Sequence, residues 1–210
     1  MRAVILANNE LKQKFLPDPV KHDIQLHWIE DITGLTNHSA VDILIDLLFE
    51  NDHHRIELLK RSQAKLVIIN SVITPLKEIK EDIVRINGWP TFLERPVIEA
   101  ACNNESIKKT TEQFFLSLAK KIEWVPDIIG FITPRIVASV INEAFIALEE
   151  NVSNEIEIDI AMKLGTNYPY GPFEWAEKIG FEKVYSLLNA LHKEQNRYQP
   201  SALLIKKVLA

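Results

Sequence analysis

The sequence has one cysteine, Cys102, in 210 residues. A lone thiol excludes an intrachain disulfide, so the fold needs no oxidising compartment. Its neighbours Ala100, Ala101 and Asn103 bring no cation to activate it, and it reads as a packing thiol rather than a nucleophile. A basic surplus is missing as well. With 24 Lys and Arg against 29 Asp and Glu, the net charge is −5 and the signs are mixed, which excludes the footprint of a nucleic-acid binder. No apolar run approaches the ~20 residues of a membrane span. The opening apolar stretch is too short for a secretion signal and runs into Glu10, not a small-residue cleavage site. The expectation is a soluble cytoplasmic protein with no membrane or nucleic-acid partner. Internal repeats and low-complexity tracts are absent, so a single or two-domain globular chain follows.

Glycine is scarce, with six in the chain. Residues 3–7 form a short apolar run, the pattern of a strand buried on both faces of a parallel sheet. In a dinucleotide-binding sheet the next residues form a glycine-rich turn whose bare N–H groups meet the pyrophosphate at a helix start. Here they are Leu6, Ala7, Asn8, Asn9, Glu10 and Leu11. Leu6 and Leu11 project at the glycine positions, and Glu10 puts negative charge where phosphate would lie. A helix over 10–16 is cut off by Pro17 and Pro19. The next strand, residues 23–30, carries Trp28 where a ribose-binding acid belongs, and Glu30 reads as a solvated acid beside Asp31. No cofactor is expected, since the cradle is lost.

Further along, residues 41–50 and 65–71 read as strands, and Pro75 opens a helix. Asp52-His53-His54-Arg55 looks metal-binding, but adjacent histidines on a helix cannot face one ion. It reads as the first turn of an amphipathic helix carrying Ile56, Leu58 and Leu59. His22, His27, His38 and His192 are scattered, with no partner suggesting a triad. No metal site is expected. A strand beginning at residues 84–88, a helix with Phe114, Phe115 and Leu118, and a strand from Ile122 complete an alternating α/β pattern.

Beyond it the signals are all helical. Ile136, Val137, Val140, Ile141, Ala144, Phe145 and Leu148 recur at helical period. Ser153 or Asn154 can cap a helix bearing Ile156, Ile160, Ala161 and Leu164, with Gly165 just past its end. Pro172 begins another helix and Gly180 ends it. The last two, through Val184, Leu187, Leu188 and Leu191 and over 203–209, are too short to stand alone and must pack on neighbours.

Four segments in order, Gly-Phe-Ile-Thr-Pro-Arg at 130–135, Asp-Ile-Ala-Met-Lys-Leu-Gly at 159–165, Pro-Tyr-Gly-Pro-Phe-Glu at 169–174 and Arg-Tyr-Gln-Pro-Ser-Ala-Leu-Leu at 197–204, resemble the C-terminal domain of the L-3-hydroxyacyl-CoA dehydrogenase family. The resemblance implies α/β plus all-α: a reduced Rossmann-like, parallel-sheet N-terminal domain over 1–128 and an all-helical dimerisation domain over 129–210. It implies a homodimer through the C-terminal helices and an acyl-CoA ligand. The run ending Glu50-Asn51 resembles a family strand leading to a helix start. The family's helical hairpin before that strand, which helps to hold coenzyme A, is missing.

The resemblance also implies a site in which this chain departs from its family. Asn70-Ser71-Val72-Ile73 stands for Asn-Thr-Ser-Ser, so the serine falls at Val72 or Ile73, with Thr74 the nearest hydroxyl. Gly88-Trp89-Pro90 puts proline at the histidine of Gly-x-His. Pro134 replaces an asparagine, while Arg135 is kept. Of the catalytic set only Glu99, the carboxylate that orients the histidine, is retained.

Oxidising a 3-hydroxy group requires a base for the alcohol proton while hydride leaves for nicotinamide. Losing that base costs about two to four orders of magnitude. The expected function is a degenerate, non-catalytic family member binding an acyl-CoA or a protein partner. Two alternatives stay open: a working NAD-dependent 3-hydroxyacyl-CoA dehydrogenase of fatty-acid metabolism using Glu99 and Thr74, and a different enzyme using Glu99 as base toward a CoA thioester.

Overall fold

A computed structural model describes residues 1–16, 24–38 and 41–209. Pro17, Pro19, His22, Asp23 and Ala210 lie outside the described residues. The chain forms two compact units, Met1–Ile128 and Ile129–Ala210.

In the first unit the described residues give seven strands in one sheet: β1 (Arg2–Leu6), β2 (Gln25–Ile29), β3 (Ile43–Asp46), β4 (Leu66–Asn70), β5 (Val84–Ile86), β6 (Val97–Ala101) and β7 (Lys121–Trp124). Their order is β2-β1-β3-β4-β5-β6-β7. The helices are α1 (Asn9–Phe15), α2 (His53–Arg61), α3 (Leu76–Ile79) and α4 (Glu105–Ser117). Strand residues alternate between two cores. Ile5, Ile45 and Ile68 meet Leu11 and Phe15 of α1 and Phe114 and Phe115 of α4 on one face. Val4, Leu6, Leu44 and Ile69 meet Leu59 of α2 and Leu76 and Ile79 of α3 on the other. Helices on both faces make this a doubly wound sheet.

The sheet is not parallel throughout. β5 and β6 run antiparallel, with Arg85 opposite Ala101 and Ile86 opposite Ala100. Residues 87–96 join them through a tight turn, in which the Phe92 and Leu93 N–H groups both donate to the Trp89 carbonyl. A parallel neighbour would need a crossover, and no helix lies in that connection. The sequence reading missed β6 because Val-Ile-Glu-Ala-Ala is short and carries a mid-strand acid.

β1 is flanked by β2 on one side and β3 on the other, so the chain reverses direction across the sheet there. Ligands of open α/β sheets bind in the crevice outside the strands' carboxyl ends at such a reversal. Leu6 and Asp46, paired in register, end β1 and β3 at that point.

The second unit holds α5 (Thr133–Glu149), α6 (Glu155–Thr166), α7 (Pro172–Ile179), α8 (Phe181–His192) and α9 (Ala202–Leu209). Its buried centre includes Phe131, Ile141, Phe145, Phe173, Leu187, Leu188 and Leu204. α6 runs one residue past Gly165, because Asn167 takes the left-handed cap conformation at φ 56° that the sequence reading gave to glycine. Asn154 supplies the N-cap, its Oδ1 accepting from the Glu157 N–H at 3.0 Å. Asp159 is buried on α6 and accepts from the backbone N–H groups of Phe173 and Glu174 at 2.8 and 3.1 Å, capping α7 from a neighbouring helix.

Candidate functional site

The head of α1 forms one wall of the crevice. Asn8 sits in extended backbone, and its Oδ1 accepts from the Leu11 N–H at 2.9 Å. That side chain answers one of the leading amides a pyrophosphate would use. Leu6 and Leu11 do not jut into open space. Leu6 is 1% exposed in the core that meets α2 and α3, and Leu11, 8% exposed, joins the opposite core. Glu10 lies at the surface, paired with Lys14 at 2.7 Å. Trp28 packs edge-on against Phe15 with Lys12 over its ring, and Glu30, exposed, follows the last residue of β2. The turn after β1 holds no glycine, and the indole of Trp28 stands on the neighbouring strand β2.

The opposite wall holds an ion pair that sequence reasoning missed. Asp46, fully buried, accepts from Arg55 Nε and Nη2 at 2.7 and 2.6 Å. Its Oδ1 also takes the Leu48 N–H at 3.0 Å. Burial pushes the Asp46 carboxyl upward against the pull of Arg55. Asp52 caps α2 by accepting from the Arg55 N–H at 2.9 Å, so the Asp-His-His-Arg run is a helix start whose arginine reaches the crevice. The available signal was an acid ending an otherwise apolar strand with an arginine nine residues on.

Asn70, at the end of β4, ties three strand ends together. Its Nδ2 donates to the carbonyls of Leu47 and Gly88 at 3.1 and 3.3 Å, and its Oδ1 accepts from the Gly88 N–H at 3.0 Å. A Cβ at Gly88 would lie 2.6 Å from the Asn70 side chain. The glycine of Gly-x-His is thus required by this contact and persists without the histidine. Val72 is buried, and the Ser71 hydroxyl donates to the Thr74 carbonyl at 2.9 Å.

Glu99 is half-buried on β6, and its Oε2 accepts from the Asn87 Nδ2 at 3.1 Å. The Asn87 N–H donates to the Glu99 carbonyl at 2.9 Å. Asn87 therefore holds Glu99 through both its side chain and its backbone. It was invisible in the sequence because the β5–β6 pairing was not foreseen. Pro90 is buried in the following turn beside Thr91, which adopts φ 73°. The structure brings Glu99 together with Asn87.

Other sequence candidates fall elsewhere. The His27 and His38 rings approach to 5.2 Å, a pairing their spacing did not suggest, and no group of three or more His, Cys, Asp or Glu poised for a metal occurs among the described residues. Cys102 donates to the Asn104 carbonyl, and burial pushes its thiol up. Pro134 is buried in the first turn of α5, and Arg135 donates from Nε and Nη2 to the Ile129 carbonyl at 3.2 and 2.8 Å. No helix among the described residues is long and apolar enough to cross a membrane.

A doubly wound sheet with a single antiparallel pairing and a unit of five helices define the fold of a two-domain dehydrogenase. Residues 130–210 match the family described as 3-hydroxyacyl-CoA dehydrogenase, C-terminal domain. The chain is 37% identical over 201 residues to the 3-hydroxybutyryl-CoA dehydrogenase of Clostridioides difficile, covering 88% of this chain and 72% of that one. It matches the 3-hydroxyadipyl-CoA dehydrogenase of Escherichia coli at 36% over 115 residues and the 3-hydroxybutyryl-CoA dehydrogenase of Bradyrhizobium diazoefficiens at 35% over 127. Those matches take in 54% and 60% of this chain but only 24% and 43% of the relatives. The structure of (S)-3-hydroxybutyryl-CoA dehydrogenase from Ralstonia eutropha shares the fold, with a TM-score of 0.72, 23% identity and coverage of 88% of this chain and 70% of that one. The chain belongs to the 3-hydroxyacyl-CoA dehydrogenase family.

Proposed function

We propose that this chain is a non-catalytic member of its family, in which residues 1–128 keep a nucleotide-binding scaffold without its cofactor and residues 129–210 serve self-association. The observation that carries the reading is the Asn8 side chain closed on the Leu11 N–H, at the place where a phosphate would be received. Proline at both the base and the amide positions agrees with it, since proline offers neither a proton acceptor nor a side-chain donor. The remaining role is to bind an acyl-CoA or a protein partner as a cytoplasmic homodimer. Support for self-association is the line Ile156, Ile160 and Leu164 on α6, which is 72%, 47% and 83% exposed. These residues lie four apart on one helical face, an apolar stripe suited to a second copy.

The test is a fluorescence titration of the purified chain with NADH, followed by an assay of acetoacetyl-CoA reduction. The expected result is no saturable NADH binding and no turnover, with coenzyme A esters bound. One observation favours the alternative of an active dehydrogenase, the retention of Glu99 at the strand edge beside a turn. NADH binding with turnover abolished by Glu99→Gln would establish that alternative and overturn the proposal.

A further inference from the structure

Arg135 and Arg197 flank one aromatic ring in the helical unit. The Arg197 guanidinium carbon lies 4.6 Å from the Tyr198 ring centroid, and that of Arg135 lies 5.8 Å from it. Arg197 Nη2 donates to the Tyr198 hydroxyl at 2.5 Å, and Arg135 directs Nε and Nη2 at the Ile129 carbonyl. Among the described residues neither guanidinium meets a carboxylate within ion-pair distance. Two guanidinium groups gathered at one ring, neither with a carboxylate partner among the described residues, make a place where an anion would be favoured.

The place for the anion is built. Both arginines, Tyr198 and Ser139 line a cleft of about 430 Å³, whose remaining walls are Ile136 and Val140. That volume falls within the range of small-ligand sites. Its lining joins two cations to two aliphatic side chains, with no acid among the described residues that line it. Ile136 is 53% exposed, and Ile132, one turn before it on the same face, is 47% exposed, so the aliphatic wall continues outward along α5. The adjoining cleft of about 500 Å³ shares Ser139, Arg197 and Tyr198 but carries Glu143 and Glu149, which would repel an anion.

We propose that this cleft is a binding site for an amphiphilic carboxylate, with its head held by Arg135 and Arg197 at the cleft wall and its aliphatic tail along Val140, Ile136 and Ile132. The planar guanidinium fork matches a carboxylate, and the aliphatic wall gives the tail apolar surface to cover. The site lies wholly in residues 129–210 and owes nothing to the nucleotide crevice, so it stands or falls separately from the function proposed above.

The test is calorimetric titration of the full chain with sodium octanoate, with octan-1-ol and inorganic phosphate as the other probes. Octanoate is expected to bind saturably at one site per chain, with octan-1-ol and phosphate each at least about tenfold weaker. Arg197→Gln is expected to weaken octanoate by about tenfold while leaving the circular dichroism spectrum unchanged. Because Arg135 also anchors the Ile129 carbonyl, Arg135→Lys serves as the second variant. It keeps the charge but loses the fork, and a weakening smaller than that of Arg197→Gln is expected. The proposal is overturned if octanoate fails to saturate, if phosphate binds as tightly, or if Arg197→Gln binds octanoate like the wild type. It is also overturned if Arg197→Gln shifts the oligomeric state in sedimentation while octanoate binds neither protein, which would assign the arginines to contact between copies.

Discussion

A Cβ on Gly171 would stand 2.2 Å from the Asp159 carboxylate carbon, so the two residues touch in a way only glycine permits. The approach lets Asp159 reach past the bend and accept two N–H groups of the first turn of α7. Asp159→Ala should lower unfolding free energy by about 1–3 kcal/mol, the range for a lost cap that leaves buried donors unanswered. Gly171→Ala should cost at least as much, because backbone or carboxylate must move. Urea unfolding of the two variants, and of the double variant, checks both. Sub-additive losses are expected, since both changes break the same contact.

Removing one member of the Asp46–Arg55 pair should harm the fold more than removing both. Asp46 is fully buried, so Arg55→Ala leaves a carboxylate without its cation, which typically costs about 3–5 kcal/mol. Asp46→Leu combined with Arg55→Leu should recover most of that loss. A thermal melt in which the double variant is less stable than Arg55→Ala would contradict this account.

Lys120 should give a pH signature. Its Nζ is buried and donates to the carbonyls of Leu93 and Arg95 at 2.8 and 3.1 Å. Burial pushes its pKa below the ordinary 10.5, against a smaller upward pull from Glu94. Between the lowered value and 10.5 the unfolded chain holds more protons than the folded one, so stability rises as pH climbs through that window. Relative to Lys120→Met, the wild type should therefore gain stability on the alkaline side. Denaturation midpoints measured in steps up to pH 10.5 give the slope, and parallel curves for the two proteins would refute it.

Under the proposed function, restoring single family residues should not bring dehydrogenase chemistry. Pro90→His supplies an imidazole, but Glu99 remains bonded to Asn87 and the α1 turn stays closed by Asn8. No reduction of acetoacetyl-CoA by NADH is expected from this variant or from Pro90→His with Asn8→Gly. Adding Leu6→Gly would open the core at a cost of about 2–5 kcal/mol, so a fall in melting temperature should precede any gain of binding.

The proposed self-association has its own check. Leu164→Glu with Ile160→Glu places charge on the exposed face of α6, away from the buried centre of the unit. A shift from dimer to monomer in sedimentation, with unchanged melting of the separate chain, is the expected outcome.

Much of this fold could be read from local pattern, because burial on both faces of a strand and on one face of a helix leaves its period in the residues. The apolar run ending at Leu6, the asparagine cap at Asn154, and Pro172 opening α7 are of that kind. What escaped depends on partners far apart in sequence. β6 is marked chiefly by its pairing with β5 and β7, and Asn87 acquires meaning only once that pairing sets it against Glu99. Asp46 and Arg55 were each visible, but their meeting required the turn between β3 and α2. The four C-terminal motifs pointed to the family, yet the reason for one of them, Gly171 under Asp159, is steric and appears only in three dimensions.

The asparagine heading α1 also bears on descent. Under the proposed function, a side chain that has taken over one leading amide of α1 makes that helix depend on it, and a mutation that reopens the seat costs about 0.5–2 kcal/mol before any cofactor could offset the change. On that reading such a step would work as a ratchet, the return to redox chemistry being opposed by the stability of the helix itself.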